Sequence, residues 1–441
     1  MNRYTQFIIV WAGQAASTLG SSILSFALGV WVYQQTGSMK SFGLVIFFAM
    51  LPYVVLAPVS GVLVDRWPRR TVMLACDLGA GLCAFTLFVF LSWQTLQVWH
   101  IYALTFTGMV FQCFHQLAYA ASMTTLLPDR AMRARANGMM QLGLAGAFVV
   151  GPLVAGVLLT KLQLRGVILL DCASFLIAFG TLVPIRLPEL DASQRPPRKV
   201  FFREFADGLQ HIRSQSGLVS LMLLVAASNF SIGFVQVLFT PMVLTISNQE
   251  VLGVLVSVGG AGMVVGGIAC SVWGVPAQAI RGVWLGLALD GACLVVGSLR
   301  PSIVLWGASV FCYFLAIPLI NASLQSIWQQ RVPAELQGRV FSVRSMVSFV
   351  CLPAAYLISP LLAMHFFEPW LSPDGALASS LGAWFGTGNG RGMALMFLVA
   401  GIALLGLAFA AARNRKLMLH RESHDETALP RSSAALSGQA R

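Results

Sequence analysis

Charge is what this sequence has least of. Asp, Glu, Lys and Arg make up 10% of its 441 residues, where a soluble globular domain carries about 25%. That scarcity excludes a water-soluble enzyme, and so much apolar composition excludes a disordered chain. Metal and redox signatures are missing too. The eight cysteines, from Cys76 to Cys351, all fall in apolar runs. None forms a CxxC pair or stands near a His at ligand spacing, so they read as small buried hydrophobes. No HExxH, clustered His/Asp set or nucleophile motif occurs. The chain is expected to have no catalytic residue, no metal and no cofactor.

What it has in abundance is apolar length. Hydrophobic residues make up 57% of the chain. A membrane helix needs about 20 mostly apolar residues. Twelve such runs lie near 7–33, 41–64, 71–93, 98–126, 136–160, 165–184, 217–245, 250–273, 282–299, 301–330, 340–364 and 391–412. They are far too long for membrane strands and do not alternate. The expected fold is therefore all-α and polytopic. The first run follows Arg3 without a cleavage site and reads as an uncleaved membrane helix.

The net charge of +12 would suggest nucleic acid on a soluble protein. Here its distribution sets orientation instead. With the N-terminus in the cytoplasm, only Lys40, Lys161, Arg165, Arg300 and Arg391 face the other side. Every other Lys and Arg lies in a cytoplasmic loop or tail, which is the positive-inside pattern. Both termini are then cytoplasmic, in a bacterial inner membrane, and no nucleic-acid partner is expected.

One long polar break interrupts the runs. It divides the chain into residues 1–184 (six helices), a cytoplasmic loop at 185–216, residues 217–412 (six more) and a cytoplasmic tail at 413–441, read as disordered. The loop contains an amphipathic patch around Phe201–Ile212. The halves resemble each other. "LLPDRAMRARANGMM" (126–140) follows the fourth run and "RVPAELQGRVFSVRS" (331–345) follows the tenth. Asp77 and Asp290 occupy similar places in the third and ninth. Such internal symmetry marks a transporter built from repeated bundles.

"GVLVDRWPRR" (61–70) closely resembles the signature loop of the major facilitator superfamily, with Gly61, Asp65, Arg66, Arg69 and Arg70 in place and Pro68 where Gly is usual. The two six-helix bundles fit that family over essentially the whole chain. "FALGVWVYQQTGS" (26–38), "DCASFLIA" (171–178), "SIWQQRVPAELQGRVFSVR" (326–344) and "FGTGNGRGMALMF" (385–397) resemble its bacterial macrolide-efflux and enterobactin-exporter branch. "AFVVGPLVAG" (147–156) is similar to the antiporter motif of superfamily exporters, with Gly151, Pro152 and Gly156 kept. The resemblance implies an outward-directed, proton-coupled exporter working by alternating access.

Each motif has a physical reading. Asp65 can meet the positive end of a helix; the resemblance names the N-terminus of the eleventh run, after Gly338–Arg339, as its partner. With Arg66, Arg69 and Arg70 it then forms a conformational latch, unless the loop is only a topology signal. Gly151 and Gly156 let another helix approach closely, and Pro152 bends the helix. Plain small-residue packing would use the same residues.

Three acids lie within the runs. Asp77, Asp171 and Asp290 each cost about 2.5–3.5 kcal/mol at a helix centre, so they are proton-coupling candidates. Pairing offers a structural alternative: loop arginines for Asp77 and Asp290, Arg165 for Asp171. The fourth run lacks the Arg that many superfamily exporters carry. Cavity candidates are Gln14 and Ser21, then Gln112, His115 and Gln116, then Asn229 and Gln236, then Asn321 and Gln325. Interhelical hydrogen bonds are the plainer role for each. Abundant Phe and Met suit a large, adaptable, greasy pocket.

The expected protein is a monomeric exporter whose partners are a small molecule, protons and the bilayer. A bulky hydrophobic or amphipathic cargo fits: a drug, a macrolide-like compound, a siderophore or a peptide natural product. The alternatives are a lipid or lysolipid flippase and a solute facilitator on the same fold.

Overall fold

The computed structural model describes residues 2–64, 67–127, 129–185, 201–276, 278–382 and 386–413. Asp65, Arg66, residues 186–200 of the central loop and the whole tail beyond Arg413 lie outside the described residues.

The described chain is helical. Its helices are α1 (Arg3–Thr36), α2 (Met39–Val64), α3 (Arg69–Ser92), α4 (Val98–Leu126) and α5 (Arg130–Leu182). They continue as α6 (Phe201–Ser214), α7 (Ser216–Leu244), α8 (Gln249–Trp273), α9 (Ala279–Leu299), α10 (Ile303–Arg331) and α11 (Ala334–Leu362). A π-turn (Ala363–Phe367) and a helical turn (Glu368–Trp370) extend α11, and α12 (Arg391–Arg413) closes the order. Long apolar segments become helices because lipid offers backbone groups no partners, and a helix satisfies them internally.

Ends are set by local chemistry. Asn248 accepts from the Val251 amide at 3.0 Å, capping α8. Gly37 adopts φ 59°, a left-handed cap, and donates its amide to Tyr33 at 2.8 Å.

Ten helical segments among the described residues are long and apolar enough to cross a membrane. The expected twelve differ from these ten in two places. α4 is 29 residues long but lies outside the ten. The fifth and sixth runs form one 53-residue helix, broken at Gln163 by non-helical angles (φ 54°, ψ −175°). α6 occupies the amphipathic patch of the central loop.

Buried apolar side chains gather in three clusters. One draws almost wholly on residues 212–411, with Val30 added. Two others lie within residues 7–185. The outer face is apolar as well, with Leu142, Leu176 and Val272 at least 70% exposed. That surface suits lipid.

Two helix pairs make most of the described contact between the first six-run stretch and the second, with a lesser one of α2 on α7. α5 packs on α8 and α2 packs on α11. At Gly43, a Cβ would stand 2.8 Å from the carbonyl of Tyr356. Gly43 and Tyr356 lie toward the side of the bundle where α1 ends, so the halves meet on that side.

Candidate transport cavity and buried acidic centres

Three cavities follow one another along α1. The first, of about 180 Å³, reaches from Trp11 to Ser21 and is walled by Gln14, Gln112, His115 and Gln116. The second, of about 310 Å³, takes over from Thr18 to Leu28. The third, of about 340 Å³, runs from Ser22 to Val30 and across to Gln236, Phe239 and Phe314. Successive cavities share walls: Ser21, Tyr53 and Gln112 between the first two, Ser22, Ser25 and Phe148 between the last two. At about 1.5 Å per residue the path follows nearly 30 Å of α1, close to the thickness of the hydrocarbon layer. No Lys or Arg lines any of the three among the described residues.

A buried polar centre sits beside the first cavity. Asp77 on α3 accepts from Gln14 Nε2 on α1 at 3.1 Å. Its other oxygen lies 3.3 Å from His115 Nε2 on α4, though the ring nitrogen points off the line of a hydrogen bond. Three helices thus converge on one carboxyl group, and among the described residues no loop arginine pairs with it. A second centre stands at the second cavity. Asp171 on α5 accepts from Ser21 on Oδ1 at 3.1 Å, while Ser174 donates to the Asp171 backbone carbonyl at 2.8 Å and stands 3.5 Å from the same Oδ1. Arg165 does not pair with it; that guanidinium stacks 5.3 Å over the Phe88 ring. Asp290 on α9 is 2% exposed, and its Oδ1 has no partner among the described residues. It lines none of the three cavities.

Other expected cavity residues divide. Ser21, Gln112, His115, Gln116, Gln14 and Gln236 line the path. Gln236 also accepts from Tyr356 Oη at 2.6 Å. Asn229 instead donates to Val225 within its own helix at 2.9 Å. Asn321 is exposed and away from the cavities. Gln325 accepts from Arg344 Nη1 at 2.7 Å. Arg344 stands ten residues after the start of α11, at the beginning of its apolar, membrane-length segment (Val343–Trp370).

The glycine-proline stretch of α5 meets α8. A Cβ on Gly156 would stand 2.7 Å from the Gln249 carbonyl, and one on Gly253 would stand 3.4 Å from the Gly156 Cα and closer still to the Pro152 carbonyl. Only hydrogen fits at either place. Gly151 faces the other way, against Ser22 of α1. The same corner holds a polar tie: Gln34 Nε2 donates to Gln249 Oε1 at 2.9 Å, and Gln249 Nε2 donates to Thr160 Oγ1 at 3.3 Å. Gly253, Gln34 and Gln249 were missed in the sequence. The glycine run of α8 was the available signal for the first; nothing marked the two glutamines.

At the signature loop, Gly61 belongs to the last turns of α2, while Asp65 and Arg66 fall outside the described residues. Arg69 donates to the Ala121 carbonyl at 2.6 Å and Arg70 to that of Val183. Both bonds stay within the first half.

The comparisons fit this geometry. The sequence matches the family model of the Major Facilitator Superfamily over residues 10–355. It is 26% identical over 362 residues to Macrolide efflux protein A of Streptococcus pyogenes, covering 81% of this chain and 89% of that one. It is also 26% identical over 380 residues to the multidrug efflux pump Tap of Mycobacterium bovis, covering 81% and 87%. Among solved structures, a bacterial homolog of the human lysosomal transporter Spinster, inward-facing and unoccupied, superposes with a TM-score of 0.70 at 13% identity, over 94% of this chain and 98% of that one. A match across most of the chain, on a helical fold with glycine-packed halves around a cavity, settles membership: this protein belongs to the Major Facilitator Superfamily.

Proposed function

We propose that the protein is a secondary transporter that expels a bulky hydrophobic or amphipathic small molecule by proton antiport and alternating access. The observation that carries this reading is the row of three adjoining cavities along α1, the third of them walled by both halves, with the described α5–α8 and α2–α11 contacts toward the end where α1 stops. A path of this kind takes cargo from one face of the membrane, and rocking of the halves about the α5–α8 contact delivers it to the other. The positive-inside pattern assigns the open side to the cytoplasm of a bacterial inner membrane, with both termini there. Export then starts from the state described.

The lining supports the cargo class. It is largely Leu, Val, Phe, Ala and Ser, with few hydrogen-bonding groups in fixed positions. Such a wall binds apolar bulk by area removed from water. The names of the efflux relatives point the same way. The Asp77–His115 pair is our choice for the proton carrier, because a buried carboxyl and an imidazole in contact can hold or release one proton between them. We take 1–184 and 217–412 as the moving bundles and the monomer as the working unit.

Expression in an efflux-deficient bacterial host tests this. Export predicts raised tolerance to macrolides and amphipathic dyes, and lower accumulation of those compounds. Unchanged tolerance across such a panel, together with protein-dependent movement of a labelled lysolipid between leaflets, would instead assign the cavity to a flippase.

A further inference from the structure

The first cavity is walled unlike the other two. Four primary amides line it, from Gln14, Gln112, Gln116 and Gln141, together with the hydroxyls of Tyr53 and Tyr119. No Asp, Glu, Lys or Arg lines it among the described residues. Helical spacing produces much of this wall. Gln112, His115, Gln116 and Tyr119 stand at i, i+3, i+4 and i+7 of α4, so they form one stripe. That polar stripe is why α4, at 29 residues, falls outside the ten long apolar helices.

Polar groups in a membrane helix need partners, and most of these have none in the protein. Gln14 is bonded to Asp77. The side chains of Gln112, Gln116 and Gln141 make no hydrogen bond among the described residues, and Tyr119 Oη is buried without a partner there. A side chain tied to a neighbouring helix would serve packing alone. These are left to whatever fills the cavity.

Their chemistry selects the filling group. A primary amide offers two N–H donors and a carbonyl acceptor, and a phenol both donates and accepts. A hydroxyl also does both, so several hydroxyls on one ring can satisfy the wall. An ion finds no opposite charge in it, since His115 lies against Asp77. An alkyl group would strip water from the amides and give no bond back. The second cavity, which shares Ser21, Tyr53 and Gln112 with the first, continues in Leu24, Leu28 and Phe148. A polar end and an apolar body therefore have adjoining places.

We propose that the first cavity is a hydrogen-bonding subsite for an uncharged, hydroxyl-rich group, such as a sugar ring, carried on an apolar body that lies in the second cavity. Gln112 and Gln116 are its main recognition groups. The subsite deepens the export reading above and rests on it for its biological use, because it names the class of cargo: neutral glycosides of hydrophobic compounds. Its chemistry is testable without transport.

The test is equilibrium binding to purified full-length protein in lipid nanodiscs, with empty nanodiscs correcting for partition into lipid. The probes are radiolabelled octyl β-glucoside and tri(ethylene glycol) monooctyl ether. Both are uncharged and carry the same alkyl chain, but the glucoside head is a ring of hydroxyls and the ether head mostly accepts. The wild type is expected to bind the glucoside saturably and at least about tenfold more tightly than the ether, the scale of one or more net hydrogen bonds. Gln112→Leu and Gln116→Leu together are expected to remove that preference, and Tyr119→Phe to reduce it. Equal affinity for the two probes, absence of saturable glucoside binding, or a preference that survives in the folded double variant would overturn the proposal. Gln116 is exposed, so Gln116→Leu alone covers the case of a double variant that does not fold; an undiminished preference in it counts against the subsite. Glucoside preference without export of any compound in cells would remove the export reading and leave the subsite standing. Export by a protein without that preference would do the reverse.

Discussion

Asp77 Oδ1 and His115 Nε2 lie 3.3 Å apart, with side chains 3% and 6% exposed. Gln14 holds the other carboxyl oxygen. A carboxyl group this far from water needs a partner, and the pair supplies it from two helices that both wall the cavity region.

From that contact comes the first prediction. Asp77→Asn should abolish proton-driven uptake into inverted vesicles, while substrate still exchanges down its own gradient. His115→Ala should also lower the thermal midpoint, since stripping a buried polar group of its partner costs about 1–3 kcal/mol. Flux assays in the two modes, with thermal unfolding followed by tryptophan fluorescence, measure both effects. Full coupling in folded Asp77→Asn protein would remove this residue from the proton path.

The second prediction concerns the α5–α8 crossing. A side chain at Gly253 would meet the Pro152 carbonyl. Overpacking of this kind costs about 1–3 kcal/mol. Gly253→Leu should therefore reduce export severely, and Gly267→Leu, on the same helix with open space around its Cβ position, should not. Export rates of the two variants at matched expression decide it.

A third prediction follows from the tie between Gln34, Gln249 and Thr160. These bonds hold together the end of the molecule where the halves meet. Gln249→Ala removes both, worth about 1 kcal/mol in total at this exposed site, and should move the balance toward the opposite-facing state by about fivefold. Ser25→Cys in the third cavity reports the change through its labelling by a membrane-impermeant thiol reagent from each side.

Glu368 gives a fourth. Its carboxylate accepts from the Met393 amide at 3.1 Å and the Gly390 amide at 3.3 Å, so the extension of α11 caps the start of α12. Glu368→Ala should cost about 1 kcal/mol, as loss of a helix cap does. A lower thermal midpoint with export largely retained is the expected result.

Much of the fold was legible because lipid makes helices of apolar runs, and the run boundaries come within a few residues of the helix ends. The break at Gln163 was less legible. Residues 161–164 separate the fifth and sixth apolar runs, but the chain needs a single non-helical residue to turn there. The acids of the site were legible individually, since a carboxyl in an apolar run stands out. Their partners were not: Gln14 and Asp77 are 63 positions apart, and only packing brings α1, α3 and α4 together. The reverse held for Asn229 and Asn321, polar in apolar runs yet absent from the cavity walls. A polar residue in a membrane helix can satisfy itself on its own backbone, as Asn229 does. Sequence spacing does not distinguish that from a wall position.

The central claim is that outward movement of an amphipathic compound is driven by protons moving inward. Inverted membrane vesicles containing the protein, given an inside-acid gradient and radiolabelled erythromycin, test it most directly. Proton antiport predicts accumulation that depends on the protein, collapses when a protonophore is added and is lost in Asp77→Asn. Accumulation indifferent to the gradient, or absent for macrolides and for amphipathic dyes tested in the same vesicles, would contradict it.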